Sequence, residues 1–213
     1  MAQFKKLVAL PAYNEEKTIG NILEKLVKLG HFYILVVDDG SYDDTAKIAN
    51  SKSVHVISHK KNLGYEETLN TAYSYALCNR FDSICFFDAD GEHHVSDLTK
   101  FEFLDGNCLV KLGNRSSTNR LGEAVAKKLG SFIFGIDDPY CGMRSYNLKF
   151  LNDSDLPRPG DKIGTRLPRF ISKKYGRNTI RNIPIDVSKR RDASRFSDNS
   201  LKANIFLLLN IIF

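Results

Sequence analysis

Three acidic residues directly follow a short apolar stretch in the middle of the chain. Residues 84–87 read as a buried strand, and Asp88, Asp90 and Glu92 come immediately after it. Two aspartates one residue apart, on a loop that leaves a strand, can both face one cation, and their oxygen atoms suit Mg²⁺ or Mn²⁺. Such an ion neutralises charge on a leaving phosphate. The spacing therefore predicts a divalent-metal site for a substrate that carries a diphosphate.

His93 and His94 make zinc a competing interpretation. Adjacent histidines, however, point in different directions, and neither a cysteine nor an H-x-x-x-H spacing accompanies them. We therefore expect a hard cation rather than zinc, with a solvated side chain at His94. A solvated turn without any ligand is the third alternative, because aspartate and glycine after a strand commonly form turns.

Strand and helix signals alternate along the chain that must position these residues. Apolar runs predict strands at 4–10, 34–37, 54–57 and 84–87, and helices are predicted at 15–29, 43–49 and 65–78. Asn14 is the expected cap of the first helix and Gly30 its expected end. The alternation predicts an α/β fold with a mostly parallel, doubly wound sheet. Three predicted strands end in carboxylates, and since ligands bind beyond the carboxyl ends of such sheets, we expect one shared site there.

Composition restricts the class of partner. The 213 residues allow one or at most two domains, and the net charge of +6 favours anionic partners such as nucleotides or phospholipid surfaces. No P-loop, G-x-G-x-x-G or G-x-S-x-G motif is present, and the basic residues form no stripe typical of nucleic-acid binding. The four cysteines form no C-x-x-C pair, which indicates free thiols in a reducing compartment.

The last nine residues, 205–213, are almost wholly apolar. A membrane span needs about 20 residues, so this stretch is too short to cross a bilayer. Three interpretations remain open: a helix that completes the core, a segment that contacts a membrane surface, and the start of a longer membrane span. The first residues do not read as a signal peptide.

Six segments in order resemble a known family: PAYNEEKTIGNIL, VVDDGSYDDTAKIA, NLGYEETLNTAY, FFDADGEH, GNR and DDPYCGMRSYN. Together they are similar to glycosyltransferase family 2, and most of all to its polyprenyl-phosphate (dolichyl-phosphate) sugar synthases. The resemblance is close over residues 4–150 and loose over 160–197. It implies a Rossmann-like GT-A domain at 1–197 and inverting transfer of a sugar from a nucleotide sugar. The apolar composition separately predicts a helix at 198–213 that could contact a membrane.

The resemblance also implies roles for matching residues. The donor nucleotide would contact Pro11, Tyr13, Glu15, Asp39, Asp88, Ala89 and Asp90. The metal would be held by Asp88, Asp90 and Glu92, the last standing where relatives often have a glutamine that joins the metal shell. His93 matches the histidine that follows that glutamine. The acceptor phosphate would face Arg115, Lys189, Arg191 and Arg195, with Arg144 also on the acceptor side.

Two classes of acceptor stay open. A lipid phosphate is already anionic, so it needs only positioning and charge neutralisation. A hydroxyl needs a carboxylate base, for which Asp137, Asp138 and Asp161 are candidates. The predicted catalytic set is Asp88, Asp90, Arg115, Asp138 and Arg144.

We expect a UDP- or GDP-sugar donor and a polyprenyl phosphate acceptor at the cytoplasmic face of a membrane. The alternatives are transfer to a carbohydrate hydroxyl in surface-polysaccharide synthesis and non-catalytic binding of a nucleotide sugar. A phosphoryl-transfer site would place its key aspartate after the first strand, where Pro11 stands instead.

The second half departs from the family pattern. Arg166 and Arg169 stand in the helix where relatives often carry an acidic residue, and the loop SKRRDASRF lacks the glycine of the family's R-x-x-G-x-S-K. Polymer synthesis is not expected, because the Q-x-x-R-W signature of processive members is absent.

Overall fold

A computed structural model describes residues 4–102, 107–116, 121–151 and 162–188. These residues form a seven-stranded sheet flanked by helices. The strands are β1 (Lys6–Ala12), β2 (Tyr33–Asp38), β3 (His55–Ser58), β4 (Ser83–Phe86), β5 (Val110–Arg115), β6 (Arg144–Asn147) and β7 (Ile180–Ile185). The helices are α1 (Ile19–Leu29), α2 (Thr45–Asn50), α3 (Tyr65–Cys78), α4 (Leu121–Phe134) and α5 (Arg166–Tyr175). Short 3-10 helices cover Val95–Phe101, Leu148–Phe150 and Arg177–Thr179.

The strand order is β3-β2-β1-β4-β6-β5-β7. The pairs β1–β2, β2–β3, β1–β4 and β5–β7 are parallel, whereas β6 runs antiparallel to both β4 and β5. The predicted mostly parallel α/β sheet is therefore confirmed. The chain order reverses between β1 and β4, and such a reversal opens a ligand crevice at the carboxyl ends of the two strands.

The core lies on both faces of the sheet. Along β1, Leu7 and Ala9 join one buried cluster while Val8 and Leu10 join the other, because alternate side chains of a strand point to opposite faces. Strands covered on both faces show no polar alternation, which explains their continuous apolar runs. In α1 the buried residues recur at helical spacing, and they are Ile19, Ile22, Leu23 and Leu26.

The predicted start of the first helix is wrong. Helix α1 begins at Ile19 rather than at residue 15. Asn14 does not cap it: the backbone of Asn14 is left-handed, with φ of 55°, and its side-chain oxygen accepts a hydrogen bond from the Tyr42 backbone N–H at 3.1 Å. Asparagine tolerates this conformation better than most residues, so it joins two loops here instead. Gly30 ends the helix with φ of 72°, as expected.

Pro11 lies inside β1 and does not terminate it. Strand β4 pairs with β1 only as far as Ala9, and beyond that point β1 pairs with β2 alone. Proline has no backbone N–H to donate, so Pro11 is tolerated in this part of β1, where one side of the strand is unpaired.

Several predictions concern residues outside the described part of the chain. These are the helix at 198–213 with its domain boundary, the basic residues Lys189, Arg190, Arg191 and Arg195, and Asp161. Within the described ranges, no helix is long and apolar enough to cross a membrane.

Candidate active site

The turn after β4 lies at the crevice between β1 and β4. The Thr18 hydroxyl, just before α1, donates a hydrogen bond of 2.6 Å to the Ala89 carbonyl and so ties the β1–α1 loop to this turn. The Asp90 carboxylate accepts a hydrogen bond of 3.0 Å from the Glu92 backbone N–H, and Gly91 between them has φ of 82°. The local chain thus folds back on itself and brings both aspartates to the carboxyl end of β4.

Asp88 is held from three directions. Its Oδ1 accepts a hydrogen bond of 3.0 Å from the Tyr65 hydroxyl, and its Oδ2 lies 3.4 Å from His93 Nε2. On the third side, a Cβ atom added to Gly142 would lie 1.7 Å from Asp88 Oδ2, so this carboxylate has room only because residue 142 lacks a side chain.

The surroundings keep Asp88 ionised. Burial alone would raise the pKa of this carboxyl group. The hydrogen bonds from His93 and Tyr65 and the positive charge of Arg144 outweigh burial, so the pKa of Asp88 lies below its usual value. The site therefore presents a negative charge at neutral pH, as a cation ligand must.

The acidic residues fit Mg²⁺ or Mn²⁺ better than zinc. Within the described ranges, no group of three or more histidine, cysteine, aspartate or glutamate residues is arranged to hold a metal ion. A magnesium-like ion commonly takes one or two carboxylates and completes its shell with substrate phosphates and water, so Asp88 and Asp90 suffice for it. Glu92 as a third ligand stays a prediction. His94 is exposed as expected, whereas His93 is buried against Asp88.

Hydrogen bonds join the β1–α1 and β2–α2 loops, which carry the predicted nucleoside residues. The Glu15 backbone N–H donates to the Thr45 hydroxyl at 2.7 Å, and the Tyr13 ring packs edge-on against Tyr42 with centroids 6.2 Å apart. Pro11 is buried in β1 next to this loop pair. The structure thus brings Pro11, Tyr13 and Glu15 to the carboxyl edge, and their contact with a nucleotide remains a prediction.

Asp39 is buried at the end of β2 with donors on both oxygens. Its Oδ1 accepts from the Leu63 backbone N–H at 2.9 Å and lies 2.7 Å from His59 Nδ1, while Oδ2 accepts from the Gly64 N–H at 2.8 Å. In this arrangement Asp39 holds the loop between β3 and α3. A contact of Asp39 with the base or ribose of the donor stays a prediction.

Arg115 and Asp138 form a two-pronged ion pair beside β5. Arg115 Nε lies 2.8 Å from Asp138 Oδ2, and Nη2 lies 3.0 Å from Oδ1. Lys127 Nζ is 3.3 Å from the same carboxylate. Burial alone would raise the pKa of Asp138, but hydrogen bonds from Arg115 and the charges of Arg115 and Lys127 lower it. A carboxylate that is so well paired is a weak proton acceptor, so this geometry favours a role in holding Arg115 over the predicted role as a base.

Arg144 begins β6 and is 3% exposed. Its Nη2 donates to the Cys141 carbonyl, while Nε and Nη1 have no hydrogen-bond partner among the described residues. Leaving donors of a buried charged group unsatisfied is costly. Phosphate oxygens are suitable partners for such a group.

The end of the described chain returns to the same turn. The Ser188 backbone N–H donates to the Glu92 carbonyl at 2.8 Å, and Val187 pairs with His93 in an isolated antiparallel bridge.

Sequence reasoning missed Tyr65 and His59 as site residues, and it did not see that Gly142 backs onto Asp88. Tyr65 was expected only as the start of α3. The spacing of residues in the sequence gives no signal for these contacts. Tyr65 and Gly142 are 23 and 54 positions away from Asp88, and the folding of the sheet brings them next to it.

Comparison with known proteins identifies the family. Residues 7–108 match the family model described as glycosyl transferase family 2. The chain is 46% identical to an uncharacterized protein of Methanocaldococcus jannaschii, over 84% of this chain and 79% of that protein. It is 34% identical to the UDP-N-acetylglucosamine–dolichyl-phosphate N-acetylglucosaminyltransferase of Methanococcus voltae, over 83% of this chain and 82% of that enzyme.

Solved structures support the same fold. Glucosyl-3-phosphoglycerate synthase from Mycobacterium tuberculosis, in complex with Mn²⁺, UDP-glucose and glycerol 3-phosphate, superposes with a TM-score of 0.76. The identity is 20%, and the match covers 98% of this chain and 79% of that one, so this likeness shows the fold alone. The chain therefore belongs to glycosyltransferase family 2, in the polyprenyl-phosphate sugar synthase branch, and is a nucleotide-sugar-dependent glycosyltransferase of the GT-A fold.

Proposed function

We propose that this enzyme transfers a sugar, with inversion, from a UDP-sugar to a polyprenyl phosphate, with a GDP-sugar as the alternative donor. The observation that carries the proposal is the ionised Asp88 beside Asp90 at the β1–β4 crevice, with the buried Arg144 close enough to lower its pKa. The relative of Methanococcus voltae is named for the same two classes of substrate, a UDP-sugar and a dolichyl phosphate.

Asp88 and Asp90 would hold a divalent cation, Mg²⁺ or Mn²⁺, which when bound supplies neutralising charge for the leaving diphosphate. Tyr65 and His93 fix the Asp88 carboxylate, and Gly142 leaves space for it. The loops after β1 and β2 would hold the nucleoside. The chain's own contribution is thus to orient the donor with its anomeric carbon open to attack.

The acceptor needs cations rather than a base. A phosphate oxygen attacks the anomeric carbon directly, and no proton has to leave it at neutral pH. Arg144 has two guanidinium nitrogens without a partner among the described residues, and the sequence that follows Ser188 is rich in lysine and arginine. Asp138, already paired with Arg115, would not be required as a base.

The exposed residues of α4 and α5, which we call the α4–α5 surface, suit an anionic membrane. The two helices meet where the Ser172 hydroxyl donates to the Phe134 carbonyl. Exposed apolar side chains on them include Phe132 at 80% and Phe170 at 42%. The exposed charged residues of the two helices are all basic, and they are Lys128, Arg166, Lys173 and Lys174. Aromatic side chains together with lysines favour binding at a lipid interface, about 1 kcal/mol being contributed by each cation near an anionic surface. We propose that this surface contacts the cytoplasmic face of a membrane, together with the helix that the sequence predicts at 198–213.

An acceptor comparison tests this function. The full-length chain with Mn²⁺ and a set of UDP- and GDP-sugars is offered polyprenyl phosphate, glycerol 3-phosphate or a free sugar. We expect rapid transfer to the lipid phosphate, slow transfer to the soluble phosphate and none to the sugar hydroxyl. A preference for the hydroxyl would replace the proposal with base-assisted transfer.

A further inference from the structure

The connection between β3 and α3 links two predicted site residues. It is bonded to Asp39, a predicted nucleoside contact, and it leads into Tyr65, which contacts the predicted metal ligand Asp88. At one end, Leu63 and Gly64 donate their backbone N–H groups to the buried carboxylate of Asp39. His59, on the other side of the same connection, places Nδ1 2.7 Å from Asp39 and Nε2 2.9 Å from the Thr71 hydroxyl of α3. Hydrogen bonds to an ionised group are about twice as strong as neutral ones, so Asp39 fixes this backbone firmly.

The first turn of α3 is fixed on its other side as well. The Gly164 backbone N–H, just before α5, donates to Glu66 Oε2 at 2.9 Å. A Cβ atom on Gly164 would lie 2.7 Å from Glu66 Oε1, so the approach of the two segments is as close as a glycine permits. Gly64 has φ of 97°, which lets the chain turn sharply from the loop into the helix.

Tyr65 is the residue that this double attachment orients. It follows Gly64 directly, and its hydroxyl donates to Asp88 Oδ1 at 3.0 Å. The residue is 42% exposed, so its ring is only partly covered by the rest of the protein. The hydroxyl contact therefore distinguishes this position from an ordinary helix start.

An aspartate carboxylate needs such contacts to keep one orientation. Its terminal torsion has a broad, roughly two-fold energy profile, so rotation is easy unless both oxygens are held. His93 lies against Oδ2 of Asp88, and Tyr65 holds Oδ1. Without the tyrosine hydroxyl, Oδ1 would lose this hydrogen bond, and the remaining side-chain contact described above, that of Oδ2 with His93, is longer at 3.4 Å.

We infer that Tyr65 is a positioning residue for the metal-binding site: its hydroxyl fixes the Asp88 carboxylate in the orientation that receives the divalent cation and donor diphosphate. The inference rests on the proposed function, in which Asp88 and Asp90 hold that cation. Asp39 determines where the hydroxyl lies, because it anchors the two residues that immediately precede Tyr65.

The test removes one oxygen atom. In Tyr65→Phe the ring stays and the hydroxyl is lost. Binding of Mn²⁺ is measured by the electron paramagnetic resonance signal of the free ion, with saturating UDP, for the full-length chain. Loss of a group that orients a metal ligand typically weakens metal binding by about 10- to 100-fold, and we expect a loss in this range. UDP affinity without metal and the thermal unfolding temperature should stay close to wild type.

Tyr75→Phe is the matched control, since it removes a tyrosine hydroxyl from the same helix, away from Asp88. It should bind Mn²⁺ like the wild type. Unchanged Mn²⁺ affinity in Tyr65→Phe, or an equal loss in Tyr75→Phe, overturns the positioning role. If the wild-type protein binds no Mn²⁺ in the presence of UDP, the metal site itself is wrong. Failure of the proposed metal site is therefore seen in the wild type, whereas failure of the positioning role is seen only in the variants.

Discussion

At the scale of single residues, three carboxylates at or near the site receive different functions from their partners. Asp88 is held by a tyrosine and a histidine, Asp39 by backbone N–H groups and a histidine, and Asp138 by an arginine and a lysine. Among them, Asp88 alone has a second carboxylate, Asp90, two positions along the same turn. This difference in surroundings separates the candidate metal ligand from carboxylates that fix loops.

The metal role of Asp90 predicts a specific loss. Asp90→Asn keeps the side-chain shape and the oxygen that accepts from Glu92, so the protein should fold. It removes a charged ligand, and charge stabilisation by a metal contributes several kcal/mol, so transfer should fall by about 100-fold or more. Initial rates with Mn²⁺ and with excess chelator measure this. Full activity of the variant, or of the wild type in chelator, would rule out the metal role.

Gly142 offers an independent test of the same carboxylate. In Gly142→Ala the new methyl group would lie 1.7 Å from Asp88 Oδ2, so the carboxylate must move. We expect Mn²⁺ binding and transfer to fall by about 10-fold or more. Gly20→Ala is the control, because its Cβ would meet only the Ile48 side chain at 3.3 Å. Equal activity of the two variants would show that the close approach has no consequence.

At the scale of elements, the Arg115–Asp138 pair joins β5 to the loop that follows α4, and Lys127 adds α4 itself. Breaking a buried ion pair by removing one partner costs about 3–5 kcal/mol, because the other charge is left unpaired. The pair therefore stabilises the packing of α4 beside the candidate site.

The lowered pKa of Asp138 predicts how this contribution varies with pH. It is fully present above the unfolded-state pKa of about 3.9, and it is lost as the pH falls from there through the lower folded-state pKa. Asp138→Asn should lower the free energy of unfolding by about 3 kcal/mol at pH 7 and equally at pH 5. The difference from wild type should narrow below about pH 4. Denaturant unfolding across this range is the measurement, and a difference that already closes between pH 7 and pH 5 contradicts the assignment.

The sequence predicted most elements because their signals are local. Continuous apolar runs, helical spacing, and Gly30 at the end of α1 depend on neighbouring residues alone. Two predictions failed where a distant segment decided the conformation: Asn14 binds the β2–α2 loop instead of capping α1, and β1 continues through Pro11 because β2 pairs with it. For the site as well, local signals could be predicted and contacts between distant segments could not. Motifs located Asp88 and Asp90, whereas Tyr65 and Gly142 reach them through the fold.

At the scale of the whole molecule, the carboxyl edge of the sheet and the α4–α5 surface would have to work together. Arg115 at the end of β5 is bonded to the loop that follows α4, so a membrane-bound α4 would hold the acceptor residues near the headgroups.

The membrane contact predicts a result for two exposed aromatic residues. Burying a phenylalanine in an apolar medium contributes about 1.5–3 kcal/mol. The double variant Phe132→Ser, Phe170→Ser should therefore bind anionic vesicles at least about 10-fold more weakly, as measured by co-sedimentation. Phe150→Ser, which lies outside the two helices and is 47% exposed in the wild type, should bind normally. Equal binding by all three proteins would assign the contact to another surface.

The most direct test of the central claim is the ³¹P and ¹H NMR spectrum of the lipid after reaction. Polyprenyl phosphate is incubated with the full-length chain, Mn²⁺ and the nucleotide sugar that the protein binds. The account predicts that the phosphomonoester resonance gives way to a phosphodiester, and that the anomeric coupling shows inversion relative to the donor. An unchanged phosphomonoester while the sugar appears on a hydroxyl acceptor, or a phosphodiester with retained configuration, would contradict it.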